Sequence, residues 1–513
     1  MGMAPTFCNR CGDAVEKGCD PREELAELDA LMERLRLRRF DLTRKINRFH
    51  SPIVRRLPLD IISTIFEFCL PDFTDHQLSP FTKEDISIPL SLGAICSYWR
   101  DIAWSTPSLW SSLVVCVPNL CDSRIVTDIA LEWLARSGQL PLSICISSTS
   151  YNITIPKLAD VVNPYSTRWL NLDLFISDYY YQYFHATDNL APILKSIRLV
   201  NPDNGRDLKF QLTCPRLERA SLSYFPIYQT NIQWDNLTHL TIHSTSIHEL
   251  LLILGKTPRL VFCKVSGSCP LFDMDDIGLP VLTSLRSLQL LITSIAAEDF
   301  LDDLIAPHLE EFSLQTNRAL SIEVITSFLG RSACSLRSFS MIFSTFPPYF
   351  ESFMSLLQSL PSLNSLSIMP LTNTDEDYDP PNPPNILQLV AKVLSSQSIS
   401  LQQGFLPNLK ILEYTGELHL HPGNFDDLYS LPPADNTVHG PLHLLKLNIT
   451  QHLTPKTVIS YFSSLVERGV TVNVLSDSED IFKPSIDNNS CREDSLYCDW
   501  TDELDSFLSW LPR

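Results

Sequence analysis

Three cysteines near the start of the chain have the residue type, and part of the spacing, of a zinc site. Cys8 and Cys11 are separated by two residues, and Cys19 follows them. Thiolates bind Zn²⁺ tightly, but a structural site needs four ligands, and no fourth Cys or His lies nearby in the sequence. We therefore interpret the three as free thiols in a flexible tail, residues 1–20, and expect no metal centre there.

Histidines form a second group whose spacing could bind a metal. His239 and His243 lie four residues apart in a predicted strand, which directs both side chains to one face, and His248 follows. Neither a His-Glu-x-x-His motif nor a carboxylate or cysteine at matching spacing accompanies them. His419 and His421 lie beside a predicted loop. We interpret all five as surface histidines.

The sequence lacks the glycine patterns that phosphate-binding loops and nucleophile turns require. It contains only 15 glycines, and no two of them are two, four or five positions apart. This spacing excludes Gly-x-Gly-x-x-Gly, Gly-x-Ser-x-Gly and Gly-x-x-x-x-Gly-Lys motifs. We expect a protein that acts by binding, with no catalytic residue and no cofactor.

Charge and apolar content limit the partners. The chain carries 59 acidic and 39 basic residues, for a net charge of −20. An acidic surface repels phosphate backbones and anionic lipids, so we expect neither nucleic acid nor membrane partners. There is no apolar run of 18 residues and no apolar leader, which predicts a cytoplasmic or nuclear protein. Its cysteines should therefore be reduced, and we expect those inside apolar runs to be buried: Cys69, Cys96, Cys145 and Cys263.

A repeated pattern predicts the architecture of most of the chain. Leu-x-x-Leu-x-Leu or a close variant occurs eleven times between residues 169 and 449, at intervals of 20–27 residues except for two of 46 and 35. A strand, a turn and a helix in each unit would stack into an α/β leucine-rich-repeat solenoid, a horseshoe, over residues 114–475. The two long intervals predict surface excursions at 371–385 and 421–441, and 476–513 reads as an acidic tail.

Side chains between the repeated leucines should face the concave surface of this solenoid. Basic residues come early in this set and acidic ones late, which suggests a client protein with an acidic or phosphorylated segment. A solvated face with scattered charge remains the alternative. The candidate client-binding residues are Arg198, Arg219, His239, Lys264, Glu311 and Glu413.

An amphipathic helix is predicted over residues 21–50. Asp20 and Pro21 are suited to its start, and apolar residues recur at spacings of three and four, interrupted by Arg39. The helix either folds back on its own domain or self-associates weakly through residues 25–49.

Two short apolar helices should follow this one. Residues 57–70 and the run from Pro89 onward both show helical apolar faces, separated by a polar insertion at about 71–88. A unit this small cannot cover both faces alone, so we expect something outside it to do so.

Three short motifs occur in the segment 51–113. They are a Leu-Pro pair, an Ile-Phe pair and a signature close to V-C-x-x-W-R: Leu57-Pro58, Ile65-Phe66 and Ile95-Cys96-Ser97-Tyr98-Trp99-Arg100. With these motifs the segment resembles an F-box, and it is similar to the large F-box families of mushroom-forming fungi. The long insertion departs from the family pattern.

The resemblance implies that the two helices dock on the Skp-type adaptor of an SCF-type cullin E3 ubiquitin ligase, while the repeats recruit a client protein for ubiquitination. The alternatives are that the helices only close the end of the solenoid, or that the chain is a repeat scaffold with no ligase role. By position, the implied adaptor-binding residues are Leu57, Pro58, Ile61, Ile62, Ile65, Phe66, Leu90, Leu92, Ile95, Cys96 and Trp99.

Overall fold

The computed structural model describes residues 21–49, 57–70, 83–117, 123–148, 153–203, 209–227, 230, 232–267, 280–292, 296–316, 321–343, 350–370, 389, 405–416, 442–449, 470–476 and 479–480. Several predicted features lie outside these residues. They are the tail 1–20 with its three cysteines, the first part of the insertion, both excursions and most of the acidic tail.

The chain divides into two compact units. The first comprises Met1–Val114 and Asp128–Ser143, and the second comprises Val115–Thr127 and Ile144–Arg513. The sequence placed everything after residue 113 in the solenoid, whereas residues 128–143 cluster with the first unit.

Helices dominate the N-terminal part of the chain. A 3₁₀ helix at Pro107–Trp110 follows the fourth α-helix. The second part of the predicted insertion is helical, because the third α-helix begins at Lys83 and continues through Pro89. The α-helices are α1 (Pro21–Phe49), α2 (Leu59–Glu67), α3 (Lys83–Ile95), α4 (Ser97–Ser105) and α5 (Ser123–Arg136).

Tryptophans form the core of the first unit. The ring of Trp110 is buried and meets Trp133 edge-to-face, with 4.7 Å between the ring centroids. Both indole N–H groups donate to main-chain carbonyls: Trp110 to Ala103 at 2.8 Å, and Trp133 to Ser112 at 2.9 Å. The Arg136 guanidinium covers Trp110 at 5.0 Å from the ring centroid. These large rings stabilise a small unit because each removes a large apolar area from water.

The strands form one open sheet in which strand order follows chain order. From the third to the fourteenth strand every described pairing is parallel, and the fifteenth strand pairs antiparallel with the fourteenth. The protein is therefore mixed α/β. The strands are β1 (Ser112–Cys116), β2 (Leu142–Ser147), β3 (Trp169–Phe175), β4 (Ser196–Val200), β5 (Arg219–Ser223), β6 (His239–His243), β7 (Phe262–Gly267), β8 (Ser287–Ile292), β9 (Glu311–Thr316), β10 (Ser338–Phe343), β11 (Ser365–Pro370), β12 (Ile411–Gly416), β13 (Leu444–Ile449), β14 (Thr471–Ser476) and β15 (Glu479–Asp480).

In ten of the eleven repeated motifs the three apolar positions are buried on or just before a strand. The eleventh lies two residues earlier than the sequence assigned it: the buried positions are Leu442, Leu445 and Leu447, and Leu444 is only partly buried. In β5, for example, Ala220 and Leu222 are buried while the residues between them are accessible. This alternation follows from the two-residue period of a strand, which sends neighbouring side chains to opposite faces. Helices follow several strands and are largely buried where their side chains are described: α6 (Thr154–Val162), α7 (Ile247–Leu254), α8 (Ala296–Asp302), α9 (Ile322–Ser332) and α10 (Phe350–Gln358).

Two sequence expectations need correction. The predicted tail begins inside the sheet, because β15 (Glu479–Asp480) pairs with β14. Of the four cysteines expected to be buried, only Cys263 is: Cys69 is exposed, and Cys96 and Cys145 are intermediate. Burial raises the pKa of the Cys263 thiol to about 12, which keeps it protonated and unreactive.

Candidate binding surfaces

Helix α2 has two faces with different environments. Ile62 and Phe66 are both 1% exposed, and the ring of Phe66 lies 4.8 Å from that of Trp99, centroid to centroid. The hydroxyls of Ser63 and Thr106 are hydrogen-bonded at 3.1 Å. These contacts fix the orientation of α2 within the first unit.

The adjacent face of α2, about 100° around the helix axis, exposes an apolar stripe to solvent. We define the α2 stripe as Pro58, Ile61, Ile65 and Phe68, which recur every three or four residues and so share one side of the helix. The side chains of Ile61, Ile65 and Phe68 are 47%, 44% and 85% exposed. A continuous exposed apolar surface of this kind is typical of a site that another protein covers.

The structure separates the sequence-predicted adaptor residues into three groups. Cys96 also has a local role, because its sulfur accepts a hydrogen bond from the Trp99 N–H at 3.5 Å and caps α4. The prediction missed Phe68, although its spacing of three from Ile65 was visible in the sequence. Pro58, Ile61, Ile65 and Ile95 are exposed, Leu57, Leu90, Cys96 and Trp99 are intermediate, and Ile62, Phe66 and Leu92 are buried. The buried group therefore holds the unit together.

The second surface is the accessible face of the sheet. One line of paired residues crosses it from β3 to β14, and we call this line the central row. All six predicted client-binding residues lie on this face, either in the central row or two positions before it on their strands. The central row is Asp173, Arg198, Ser221, Thr241, Lys264, Gln289, Ser313, Ser340, Ser367, Glu413, Lys446 and Asn473.

Arg198 is already engaged within the sheet. Its guanidinium lies 3.4 Å from the Asp173 carboxylate, and both side chains are 25% exposed. Burial raises the pKa of Asp173, while Arg198 and a hydrogen bond with Cys145 oppose that rise. Arg198 therefore compensates a buried acid and adds little charge to the surface.

His239 also adds little positive charge at neutral pH. Burial lowers its pKa, and the neighbouring Arg219 lowers it further. Its ring stacks on Phe262 with 5.9 Å between centroids, and Nδ1 lies 2.9 Å from the Thr238 hydroxyl. The stacked rings of His239 and Phe262 therefore add no positive charge to this part of the surface.

Arg219 and Lys264 remain as the cations of the N-terminal half of this face. Arg219 pairs in register with His239, and Lys264 lies one strand beyond on β7. Since neighbouring strands are about 4.8 Å apart, their strands are separated by about 10 Å. That spacing suits two successive acidic groups on an extended segment.

The C-terminal half of the face is different. Hydroxyl side chains line three adjacent strands, with Ser313, Ser340 and Ser367 in direct register. Glu311 begins β9 beside this serine patch, and Glu413 lies beyond it on β12. From β5 to β12 the accessible face therefore changes from cationic to neutral and acidic, and one cation, Lys446, follows on β13.

His243 lies at the end of β6 in a hydrogen-bonded cluster. Its Nδ1 is 3.0 Å from the Ser266 hydroxyl and its Nε2 is 3.2 Å from the Tyr224 hydroxyl. Burial lowers its pKa. Both ring nitrogens are thus engaged by protein groups, and among the described residues no three His, Cys, Asp or Glu side chains are grouped as a metal site.

Comparison with known proteins gives no assignment: no protein-family model matches the chain, and no curated protein matches it. Within the described part of the chain, no helix has the length and apolar character needed to span a bilayer.

Proposed function

We propose that this chain is a substrate-recruiting subunit of an SCF-type cullin E3 ubiquitin ligase. The first unit would be an F-box that docks on a Skp-type adaptor, and the sheet would be a leucine-rich-repeat solenoid that binds a client protein. The chain would contribute no catalytic group. Its effect would be to hold the client close to the conjugating enzyme.

The α2 stripe is the observation that carries the proposal. The helix is fixed by Ile62 and Phe66 on one face, and it presents Ile61, Ile65 and Phe68 to solvent on the adjacent face. Full burial of a large apolar side chain contributes about 1.5–3 kcal/mol. Three of them on a rigid helix suffice for the anchor of a protein interface.

The test is binding of the full chain to a purified Skp-type adaptor, measured by calorimetry. The variant Ile65→Glu/Phe68→Glu should reduce affinity at least about a hundredfold, because two anchors are lost and charge is introduced. The matched control is Leu131→Glu, which changes a side chain 46% exposed on α5, close to the 44% of Ile65.

Adaptor binding by the parent chain and the control, lost only in the stripe variant, would support the ligase role. If the correctly folded parent chain does not bind the adaptor, the role is refuted. The second reading, a repeat scaffold without a ligase role, would then apply.

The cations on the accessible face of the sheet favour a client protein that binds through an acidic or phosphorylated segment. Arg219 is exposed, Lys264 is partly accessible, and Arg198 is paired with Asp173. Arginine in particular binds carboxylate and phosphate through two parallel hydrogen bonds. We therefore propose Arg219 and Lys264 as the recognition cations, and we leave Arg198 out of the test because it is paired with Asp173.

A fluorescent peptide of alternating glutamate and phosphoserine is the probe for this surface. Arg219→Glu/Lys264→Glu should abolish binding, whereas Arg216→Glu/Arg259→Glu changes the same charge at two exposed turn positions and should retain most of it. Equal losses in the two variants would mean that net charge alone attracts the peptide, and would reject this face as the site.

A further inference from the structure

Helix α1 leaves its apolar side chains uncovered. Every described side chain of the helix, residues 25–46, is exposed. Leu28, Met32 and Leu35 are 52%, 68% and 58% exposed, and they continue a seam with heptad spacing. Helices in proteins are stabilised mostly by packing of their apolar face, and this 29-residue helix leaves that face unpacked.

The charges of α1 are segregated along its length. Residues 25–33 carry three acids and no base, whereas residues 34–46 carry six bases and one acid. Two copies side by side in parallel would place acid next to acid and base next to base. Two antiparallel copies would place the acidic half of each along the basic half of the other.

We propose that α1 pairs with α1 of a second copy of this chain, antiparallel and centred between Glu33 and Arg34. This inference does not depend on the ligase role. The seam residues that meet would span residues 25–42, a contact about 27 Å long at 1.5 Å per residue.

The register follows from the seam and the charge boundary together. Centred at this point, Leu25 lies beside Leu42 of the second copy, and Met32 beside Leu35. Arg39 lies beside Leu28, where its aliphatic stem packs and its charged end reaches solvent. A pairing shifted by one heptad would centre on Leu37. It would place Arg36 beside Arg36 of the second copy, and Arg38 beside Arg38, and like-charge repulsion disfavours both contacts.

One ion pair identifies this register. Asp29 and Arg36 occupy the flanking positions of the seam, and they meet across the antiparallel pair twice, by symmetry. In a parallel pair they would lie seven residues apart along the axis, about 10 Å, and would not meet.

The first experiment measures the mass of the full chain by sedimentation over a concentration series. The parent chain should reach the mass of two copies. Leu35→Glu should weaken the association about a hundredfold, because Leu35 lies in two core layers. Leu37 is 58% exposed like Leu35 but lies on the other side of the helix, so Leu37→Glu is the matched control and should still associate.

The second experiment tests direction and register by charge exchange. Asp29→Arg alone and Arg36→Asp alone should each weaken the pair about tenfold at low salt, and the double exchange should restore it. Circular dichroism verifies that each variant retains its helix content. A parent chain that stays monomeric throughout, equal losses for Leu35→Glu and Leu37→Glu, or a double exchange that fails to restore association would each overturn the inference.

Discussion

Gly267 occupies a backbone position that few other residues adopt. Its φ is +87°, and a Cβ placed there would lie 2.3 Å from the Ser244 hydroxyl oxygen. The residues that follow the two preceding strands at the same register, Tyr224 and Ser244, also have positive φ, at 52° each. The chain therefore has positive φ at the end of three consecutive strands, and at Gly267 a side chain would also crowd Ser244 and His243.

Gly267→Ala should destabilise the second unit by more than about 1 kcal/mol, because it adds both a left-handed strain and a steric clash. Gly330 in α9 is the control. Nothing lies within 4 Å of a Cβ placed there. Gly330→Ala should therefore stabilise by about 0.5–1 kcal/mol. Urea unfolding of both variants measures the difference, and the prediction fails if the two changes have the same sign.

The two strand histidines should make stability depend on pH. Burial lowers the pKa of both His239 and His243 in the folded chain. The unfolded chain titrates at about 6.5, so below that pH it binds more protons than the folded chain does. The stability from the neutral rings is fully present above about pH 6.5 and is lost as the pH falls toward the lowered values.

We expect the urea midpoint to fall with decreasing pH below about 6.5, and the slope to be smaller in His239→Asn/His243→Asn. Replacement of His185, which lies outside the strands, by Asn provides the comparison. If the urea midpoint changed equally with pH in the parent chain and the double variant, His239 and His243 would not be the cause of the pH dependence.

At the residue scale, sequence spacing located surfaces but not charge states. Asp173 and Arg198 hold the same motif position in consecutive repeats, so their 3.4 Å contact could have been predicted from register. The neutral state of His239 could not, because it depends on how deeply its neighbours bury the ring.

Helix α7 shows that local signals can define an element. Ser246 and Glu249 have the spacing of a capping box. In the structure the Ser246 hydroxyl accepts the Glu249 N–H at 3.2 Å, and the Glu249 carboxylate accepts from the Thr245 hydroxyl at 2.9 Å. The helix ends at Leu254, immediately before Gly255.

Ser246→Ala should cost about 1 kcal/mol, because it leaves a helix N–H without its acceptor. Ser321 precedes α9 at the equivalent position, but its side chain makes no capping hydrogen bond to the main chain. Ser321→Ala should therefore cost less. Denaturant unfolding compares the two, and equal costs would show that the Ser246 cap contributes nothing specific.

Helix α3 shows the limit of local signals. Pro89 disfavours a helical conformation in the residue before it, so the sequence suggested that the insertion extended to residue 88. In the structure α3 runs through Pro89, which is buried. Packing of α3 against α4 stabilises the helical conformation that Pro89 disfavours locally.

At the scale of the whole molecule, the two proposed surfaces differ in chemistry. The chain has a net charge of −20, yet the N-terminal half of the sheet face presents Arg219 and Lys264. The α2 stripe carries no charge. Salt should therefore affect the two binding reactions differently.

Raising the salt concentration from about 0.05 M to about 0.5 M shortens the screening length to a few ångströms. We expect the affinity for the acidic phosphopeptide to fall at least about tenfold, while adaptor affinity changes less than about threefold. Titrations at both salt concentrations measure this. Equal sensitivity of the two reactions would contradict the assignment of an apolar contact to the stripe and a charged contact to the sheet.

The sequence by itself determined the α/β class, the parallel repeats and the face on which each strand residue lies. These depend on periodicity, a property of neighbours along the chain. Only the tertiary structure decided that Ile62 and Phe66 are buried while Ile65 and Phe68 are exposed, that Arg198 is compensated, and that residues 128–143 join the first unit. Those outcomes depend on contacts between residues distant in sequence, whose burial and electrostatic fields no local pattern contains.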